Sequence, residues 1–386
     1  MEIFETTLRD GEQQAYLHLM AQQKEALAIA LEQLGVDIID AGFPAASAVD
    51  LDGVRRIARA TEQVQLSVLC RPVTRDIRMA HDAVGAAAAR SRIATSARPF
   101  DLLARGPAER SAGFRKTRDR SRRLMQEARS WFPRAQYYLI CAGDRDPSFL
   151  VDLAADVAAA GATHVVIADT LSTMEPGSFG ALVKQIRGAL PPDVIVGVHC
   201  HNQLGLSLMN SVAGIRAGAQ QVEVTIGNTG DGGGNAALEQ VLAYAHFFGG
   251  DDPDFANGCK MSRLNDVIEM FLAYSGLTLS PNKALIGEIS FLVETGIHQS
   301  IPDHVKQRVF QPKVIGRATR NVIGRHSGRA GIADQLDRLR IDPARIDQGA
   351  LYREVMKAAE QTGLVAEAEF RRIAAQVMRK EFCDAR

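Results

Sequence analysis

Residues 158–170 read AAAGATHVVIADT, and this stretch contains the unit from which we predict the fold. An alanine-rich helical segment ends at Gly161, an apolar run follows from His164 to Ala168, and the run ends in the polar pair Asp169-Thr170. Glycine often ends a helix because it adopts a left-handed backbone at little cost. A short apolar run bounded by turn residues is typical of a buried strand. The stretch therefore predicts a helix, a buried strand and a polar strand end in succession.

The same succession recurs along the chain, for example around Leu34-Gly35-Val36 and Ala217-Gly218-Ala219. The predicted strands are Ile3–Leu8, Val36–Gly42, Gln65–Cys70, Ser91–Thr95, Gln136–Cys141, His164–Ala168, Ile195–Cys200 and Gln221–Thr225. Helical patterns lie between them, including Gln22–Leu34, Pro147–Ala160, Pro176–Leu190 and Gly205–Ala217. Eight strand–helix units within about 250 residues predict an α/β fold, the (β/α)₈ TIM barrel. A doubly wound open sheet would favour a glycine-rich turn after the first strand, but this chain has Thr7-Leu8-Arg9-Asp10 there.

The pattern changes near Gly249-Gly250-Asp251-Asp252-Pro253, which has the composition of a linker. We therefore predict two domains. Residues 1–250 form the catalytic TIM barrel, and residues 251–386 form a smaller, mainly helical C-terminal subdomain that closes over the active site.

Composition narrows the class of protein. The chain has 386 residues, 46% of them hydrophobic, and 45 basic side chains balance 45 acidic ones. The chain has no net charge that would favour binding to nucleic acid or to a membrane surface. No apolar run of about 18 residues predicts a membrane span. Five scattered cysteines without a CxxC pair, and the lack of a basic, apolar leader, favour a reduced cytoplasmic enzyme. The arginine-rich stretch from Arg105 to Arg123 is either a solvated helix face or a contact for an anionic substrate such as the CoA phosphates.

Candidate chemistry collects at predicted strand ends, where barrel enzymes place their active sites. His199 and His201 lie two residues apart on a strand, so their imidazoles point the same way. Together with Asp10, after the first strand, they would form an N,N,O set suited to a divalent metal with open positions. A lone Asp10 could instead cap the segment that follows it. Its position beside Arg9 favours a charged site.

Several motifs resemble one enzyme family. TTLRDGEQ (residues 6–13) and VHCHNQLGLS (198–207) are similar to the two signatures of metal-dependent enzymes that include 2-isopropylmalate, homocitrate and citramalate synthases and 3-hydroxy-3-methylglutaryl-CoA lyase. GFPAAS (42–47), RIATS (92–96) and ADT (168–170) resemble further landmarks of the barrel, nearest to the isopropylmalate branch. TGIHQS (295–300) and GRHSGRAG (324–331) resemble the post-barrel segment of the synthases. The resemblance covers nearly the whole chain.

The resemblance implies a role for each matching residue. The implied metal ligands, for Mg²⁺, Mn²⁺ or Zn²⁺, are Asp10, His199, His201 and Asn235. The implied catalytic residues are Arg9, which stabilises oxygen anions, and His298, which assists proton transfer. The implied substrate-binding residues are Thr170, for the keto-acid carboxylate, and Gln13 in the first signature.

The implied reaction is a Claisen-type condensation. A base removes an α-proton from an acyl-CoA, here acetyl-CoA, and the enolate attacks an α-keto acid whose carbonyl is polarised at the ion. Hydrolysis of the thioester then gives a 2-alkylmalate or homocitrate-like product. The expected partners are these small molecules and a second copy of the chain, because the resembling synthases exchange the post-barrel segment within a homodimer. For His298, the alternative is a side chain that merely caps a local turn beside Gly296.

The chain departs from the family pattern in three places. The last barrel loop reads Gly230-Asp231-Gly232-Gly233-Gly234-Asn235 where most members carry G-x-G-E-R-x-G-N, and we expect it to be looser. The acidic residue usual at the end of strand five is missing or displaced to Asp144. Arg90 stands near a position where the isopropylmalate branch has a histidine. Either Arg90 or Arg92 contacts an anionic group of the substrate, or Arg90 is a surface arginine before a strand.

Two other functions are compatible with the motifs. A retro-aldol lyase of the same superfamily usually has a catalytic cysteine in the loop after strand eight, and this chain has glycines there. A catalytically silent regulatory homologue would explain the altered loop, but the intact set at Asp10, His199 and His201 argues against it.

Overall fold

The computed structural model describes residues 1–96, 107–299, 301 and 310–384. Eight parallel strands form a closed barrel in sequence order, and the first strand pairs with the eighth. The strands are β1 Glu2–Glu5, β2 Ile38–Gly42, β3 Gln65–Leu69, β4 Ser91–Thr95, β5 Arg134–Leu139, β6 His164–Asp169, β7 Ile195–Cys200 and β8 Gln221–Val224. The predicted TIM barrel is confirmed.

A helix follows each strand and returns the chain to the other end of the barrel. These helices are α1 Ala21–Leu34, α2 Ala48–Ala60, α3 Thr74–Val84, α4 Pro107–Trp131, α5 Pro147–Ala159, α6 Pro176–Ala189, α7 Ser207–Arg216 and α8 Leu238–Tyr244. Local chemistry sets several of their ends. Asp146 accepts hydrogen bonds from the backbone N–H groups of Ser148 and Phe149, and Pro147 occupies the first turn of α5, where a missing N–H costs nothing.

The barrel interior is unusually polar. TIM barrels are commonly filled by branched apolar side chains. Here Arg92, Gln136, Gln221 and Glu223 are all buried, and hydrogen bonds join them across the barrel. Apolar packing is found mainly on the outer faces of the strands, as at Ile93 and Val165, both of which are fully buried.

A further helix, α9 (Leu264–Ser275), packs on α1. As a result the first compact unit extends from Met1 to Leu279, and the second runs from Ser280 to Arg386. The predicted boundary after residue 250 is therefore too early, because the polar stretch there connects two parts of the barrel unit.

The second unit has short strands and helices around a core of its own. They are β9 Leu292–Val293, α10 Gly296–Gln299, β10 Arg320–Asn321, β11 Ile323–Gly324, α11 Arg329–Arg338, α12 Gln348–Thr362, β12 Leu364–Val365 and α13 Glu367–Asp384. Its core contains Leu336, Leu351, Val355 and Phe370. The mainly helical C-terminal region is confirmed.

The arginine-rich stretch lies largely on α4, and its first residues fall outside the described part of the chain. Arg118 and Arg122 both form ion pairs with Asp156 on α5, and Arg118 also pairs with Asp152. These pairs favour the helix-face interpretation over a substrate contact. None of the described helices is both long enough and apolar enough to cross a membrane.

Candidate metal centre and substrate site

The four predicted metal ligands lie at or just beyond the carboxyl ends of the neighbouring strands β1, β7 and β8. Strand β8 pairs with both β1 and β7, so Asp10, after β1, faces His199 and His201, at the end of β7. Oδ2 of Asp10 lies 3.6 Å from Nε2 of His199 and 4.0 Å from Nε2 of His201. One ligand atom from each residue lies within 4.8 Å of the others. All three residues are buried, and their convergence would allow them to hold one ion.

Asn235 supplies the fourth position. Its Nδ2 donates to Oδ2 of Asp10 at 2.9 Å and to the carbonyl of Thr229 at 3.2 Å. Its Oδ1 is buried and has no hydrogen-bond partner among the described residues. A buried oxygen without a partner is costly unless another group binds it. Two imidazole nitrogens, a carboxylate and this amide oxygen suit a divalent ion, so the residues present fit the metal that the family pattern implies.

The electrostatics favour the ligand protonation state at Asp10 and His201, whereas at His199 burial would lower the pKa but Glu223 and Asp10 outweigh it and raise the pKa above 6.5. Burial alone would raise the pKa of Asp10, but Arg9 and the two histidines outweigh it and lower the pKa to about 2. Burial and the neighbouring His199 lower the pKa of His201 to about 4. At neutral pH the site therefore holds an ionised carboxylate and a neutral His201, which retains a lone pair.

Arg9 lies between two carboxylates beside this centre. Its Nη1 donates to Asp10 at 2.6 Å and its Nε donates to Asp40 at 2.8 Å. Burial would lower the pKa of Arg9, but Asp40 and Asp10 outweigh it and hold the pKa well above the usual value. Burial raises the pKa of Asp40 to about 6 despite the contact with Arg9. The guanidinium is therefore a fixed, permanent cation next to the predicted metal position.

The glycine-rich loop after β8 is tightly packed, contrary to the expected looseness. A Cβ on Gly234, whose φ is +79°, would lie 1.6 Å from the carbonyl oxygen of Asn228. A Cβ on Gly233 would lie 2.6 Å from the backbone of Gln203. The Asn228 side chain donates to the backbone carbonyl of Asn235 at 2.6 Å. Close approach of one backbone to another therefore requires the glycines and holds Asn235 in place.

The loop after β6 is fixed by Asp169. This carboxylate accepts from the backbone N–H groups of Thr173 and Met174 and from Nδ2 of Asn210. Thr170 is half-buried at the same strand end, and its hydroxyl accepts from the N–H of Cys141 at 3.1 Å. The hydroxyl oxygen of Thr170 acts as the acceptor in this bond, which leaves its hydrogen unused there.

Backbone strain collects at the same end of the barrel. Four non-glycine residues with positive φ lie in loops that follow barrel strands: Tyr16, Cys141, Ser172 and Asn228. Such conformations cost about 1–3 kcal/mol each and are found preferentially at functional sites. Their location agrees with a site at the carboxyl ends of the strands.

Gln13 is exposed on the short 3₁₀ helix Gly11–Gln13. It lines a cavity of about 410 Å³ together with Arg9, Leu17 and Phe43. The cavity begins beside the centre, and a Gln13 contact with a substrate is compatible with this position.

One predicted residue lies at the other end of the barrel, and another belongs to the second unit. Arg90 precedes β4, at the amino end of the strands, and its guanidinium donates to the carbonyls of Ala58, Thr61 and Val64. These contacts assign it a structural role and correct the proposed substrate contact. His298 is exposed on α10 of the second unit.

Sequence reasoning missed the residues that support the centre, namely Asp40, Tyr138, Asn228 and Glu223. Asp40 and Glu223 each interrupt an apolar strand pattern with an acid. Such an acid is a usable signal, since a buried charge is rare without a partner. Asn228 has no comparable signal, because asparagine is common in loops.

Comparison with known proteins agrees with this geometry. Residues 1–270 match the family model described as HMGL-like, and the chain belongs to this family. The chain is 34% identical over 375 residues to a 2-isopropylmalate synthase of Nitratidesulfovibrio vulgaris, an alignment that covers 94% of this chain and 70% of that protein. It is 31% identical to a candidate (R)-citramalate synthase of Methanopyrus kandleri, with 98% and 72% covered. Among solved structures, the hydroxymethylglutaryl-CoA lyase of Pseudomonas aeruginosa superposes with a TM-score of 0.60 at 20% identity, over 72% of this chain and 93% of that chain. That likeness concerns the fold alone.

Proposed function

We propose that this chain condenses acetyl-CoA with an α-keto acid and hydrolyses the thioester, giving a 2-alkylmalate. One observation carries the proposal: the buried cluster of Asp10, His199, His201 and the unpartnered Oδ1 of Asn235, with the Arg9 guanidinium beside it. Relatives named as synthases, 31–34% identical over most of the chain, support the reaction class.

The four ligands would hold a divalent cation, which when bound supplies Lewis acidity toward the keto oxygen. Arg9 provides a fixed cation where negative charge develops on that oxygen, and its two carboxylate partners prevent it from turning away. Preorganised charge of this kind is commonly the largest contribution to catalysis. Thr170 would donate its hydroxyl hydrogen to the substrate carboxylate, and Gln13 would contact the substrate from the cavity beside Arg9.

We further propose that His298 carries a proton for the condensation and that two chains associate as a homodimer, each contributing its second unit to a barrel. The family resemblance of TGIHQS supports both statements. The keto acids to be considered are 2-oxoisovalerate and pyruvate, whose products are 2-isopropylmalate and citramalate.

Release of free CoA thiol tests the function directly. Purified protein is incubated with acetyl-CoA, Mn²⁺ and one α-keto acid at a time. We expect thiol release with at least one keto acid, loss of it with a chelator, and recovery when metal is added back. Asp10→Ala should abolish the activity, whereas Asp193→Ala, an exposed acid before β7, should retain it. Thiol release at the same rate with and without a keto acid would indicate a simple thioesterase. Cleavage of 3-hydroxy-3-methylglutaryl-CoA alone would indicate a lyase.

A further inference from the structure

A buried carboxylate lies directly behind one of the metal-ligand histidines. Glu223, on β8, is 1% exposed, and its Oε2 lies 2.8 Å from Nδ1 of His199. The other nitrogen of this imidazole, Nε2, faces Asp10 at 3.6 Å. His199 therefore lies between two carboxylates, and each of its nitrogens faces one of them.

Glu223 is itself held by two donors. Nε2 of Gln136 donates to Oε1 at 3.0 Å, and the hydroxyl of Tyr138 donates to Oε2 at 3.2 Å. Burial and the nearby Glu223 raise the pKa of Tyr138 well above its usual value, so this hydroxyl keeps its proton and can donate. Both carboxylate oxygens therefore have fixed partners, and the carboxylate cannot rotate without losing them.

The chain of hydrogen bonds continues toward the amino end of the barrel. Oε1 of Gln136 accepts from Nη1 of Arg92 at 3.0 Å and from Nε2 of Gln221 at 3.4 Å. Arg92 is fully buried and gives the interior a cation to accompany the Glu223 carboxylate. Gly197 leaves room for this arrangement, since a Cβ there would lie 2.8 Å from Nε2 of Gln221.

This arrangement fixes the direction of every hydrogen bond. Arg92 can only donate, so Gln136 must turn its oxygen toward Arg92 and its amide N–H toward Glu223. A carboxylate can only accept, so the proton between Glu223 and His199 belongs to Nδ1. In the neutral ring that a metal ligand must have, Nε2 of His199 then carries the lone pair, on the side where Asp10, His201 and Asn235 converge.

We infer that Glu223 is a positioning residue that fixes the ring orientation and tautomer of His199 for metal binding, and that Gln136, Tyr138 and Arg92 keep Glu223 in place. The inference rests on the metal centre of the proposed function. Groups of this kind behind a histidine ligand typically contribute 10–100-fold to metal affinity. His201 has no carboxylate at this distance among the contacts described, and it makes a hydrogen bond with the backbone of Asp231 instead.

Glu223→Gln tests the inference with little change in volume. Gln136, His199 and Tyr138 all donate hydrogen bonds toward position 223. A glutamine there must turn its own NH₂ toward at least one of them, so that one donor faces another. The matched control is Glu2→Gln, which alters another carboxyl group near Arg92 without a contact to His199. Tyr138→Phe removes one donor to Glu223 and leaves the carboxylate itself in place.

Two measurements distinguish this role from a merely structural one. Calorimetric titration with Mn²⁺ should show affinity 10–100-fold weaker for Glu223→Gln, a smaller loss for Tyr138→Phe and wild-type affinity for Glu2→Gln. ¹⁵N NMR of histidine-labelled protein without metal, at a pH high enough for His199 to be neutral, should show His199 protonated at Nδ1 only in the wild type and both tautomers in Glu223→Gln. Circular dichroism identifies any variant that fails to fold. If Glu223→Gln does not fold, the metal affinity of Tyr138→Phe is compared with that of the wild type instead.

The outcomes separate this inference from the proposed function. A wild type that binds Mn²⁺ together with a folded Glu223→Gln of equal affinity and unchanged tautomer would overturn the inference alone. A wild type that binds no Mn²⁺ would overturn the proposed metal centre, and the tautomer measurement would still decide whether Glu223 orients His199.

Discussion

Arg9 combines a permanent charge with two fixed carboxylate partners, so its geometry can be tested separately from its charge. Arg9→Lys keeps the cation but loses the planar fork that reaches Asp10 and Asp40 together. We expect kcat to fall by about 10²-fold or more, the loss typical for one oxyanion donor, with metal affinity nearly unchanged. Arg56→Lys, at an exposed ion pair, is the matched control. Near-normal turnover of Arg9→Lys would show that Arg9 is only a structural ion-pair partner.

The Gly234→Ala variant tests whether the glycine-rich loop is as tightly packed as the structure shows. Gly234→Ala places a Cβ 1.6 Å from the Asn228 carbonyl oxygen at a φ of +79°, so the loop must move and Asn235 must move with it. We expect a loss of about 2–4 kcal/mol in the free energy of unfolding, from overpacking together with the left-handed backbone, and a weaker metal affinity. Gly188→Ala is the control, since nothing lies within 4 Å of its Cβ. Equal behaviour of the two variants in thermal melts and metal titrations would show that the loop is adaptable.

The residues of the site differ in how far the sequence alone predicts them. His199 and His201 could be predicted from their spacing on a strand, and Asp10 from its place after the first strand. Asn235 and His298 came from the family resemblance alone. The direction of the Asn235 side chain and the support from Glu223 depend on which side chains meet across the barrel. A single strand does not contain that information, because the contacts join β5, β7 and β8.

At the scale of elements, the ends of the strands were predicted to within a few residues because buried runs and glycine helix ends are local signals. The domain boundary was not predicted correctly. The polar stretch after α8 has the composition of a linker, but the packing of α9 on α1 is a tertiary contact between segments far apart in the chain. The predicted substrate contact of Arg90 was wrong for a related reason. Its place at the amino end of β4 depends on where that strand begins.

The pairing of α4 with α5 gives a prediction about the arginine-rich stretch. Arg118→Ala combined with Arg122→Ala removes the ion pairs with Asp156, and these arginines are partly exposed. We expect a loss of about 1 kcal/mol or less in the free energy of unfolding, because solvent screens such pairs, and an unchanged KM for acetyl-CoA. Arg123→Ala, also exposed on α4, is the control. A large rise in KM for the double variant only would instead favour a contact with the CoA phosphates.

At the scale of the whole molecule, stability should depend on pH through His164. Burial, with Arg92 and Arg134 nearby, lowers the pKa of this histidine from 6.5 to about 2 in the folded state. The unfolded chain therefore binds a proton below pH 6.5 that the folded protein does not, and stability decreases as pH falls from 6.5. Between pH 7.5 and 5.5 the contribution of one such group is about 1 kcal/mol. Urea unfolding at both pH values should show that the free energy of unfolding falls less between them for His164→Gln than for the wild type. Equal decreases would contradict the assignment of this pH dependence to His164.

Cooperation between two chains at one active site can be tested by complementation. The proposed reaction needs a proton carrier near the acyl-CoA, and His298 belongs to the second compact unit whereas Asp10 belongs to the first. If each barrel of a homodimer uses the partner's second unit, an Asp10→Ala chain and a His298→Ala chain complement each other. In a mixed dimer one barrel has an intact Asp10 and receives an intact His298. Each variant alone should therefore be nearly inactive, and an equal mixture with random exchange should recover about one quarter of the wild-type turnover, since half of the dimers are mixed and each has one complete site.

Thiol release after subunit exchange measures this recovery, and exchange itself is followed by mass spectrometry of isotopically labelled chains. A mixture of Asp10→Ala with His199→Ala is the control, because both changes affect the same barrel and no complete site can form. No recovery despite demonstrated exchange would place His298 at the site of its own chain. Full turnover of His298→Ala alone would remove it from the mechanism and leave it as a side chain that caps the turn beside Gly296.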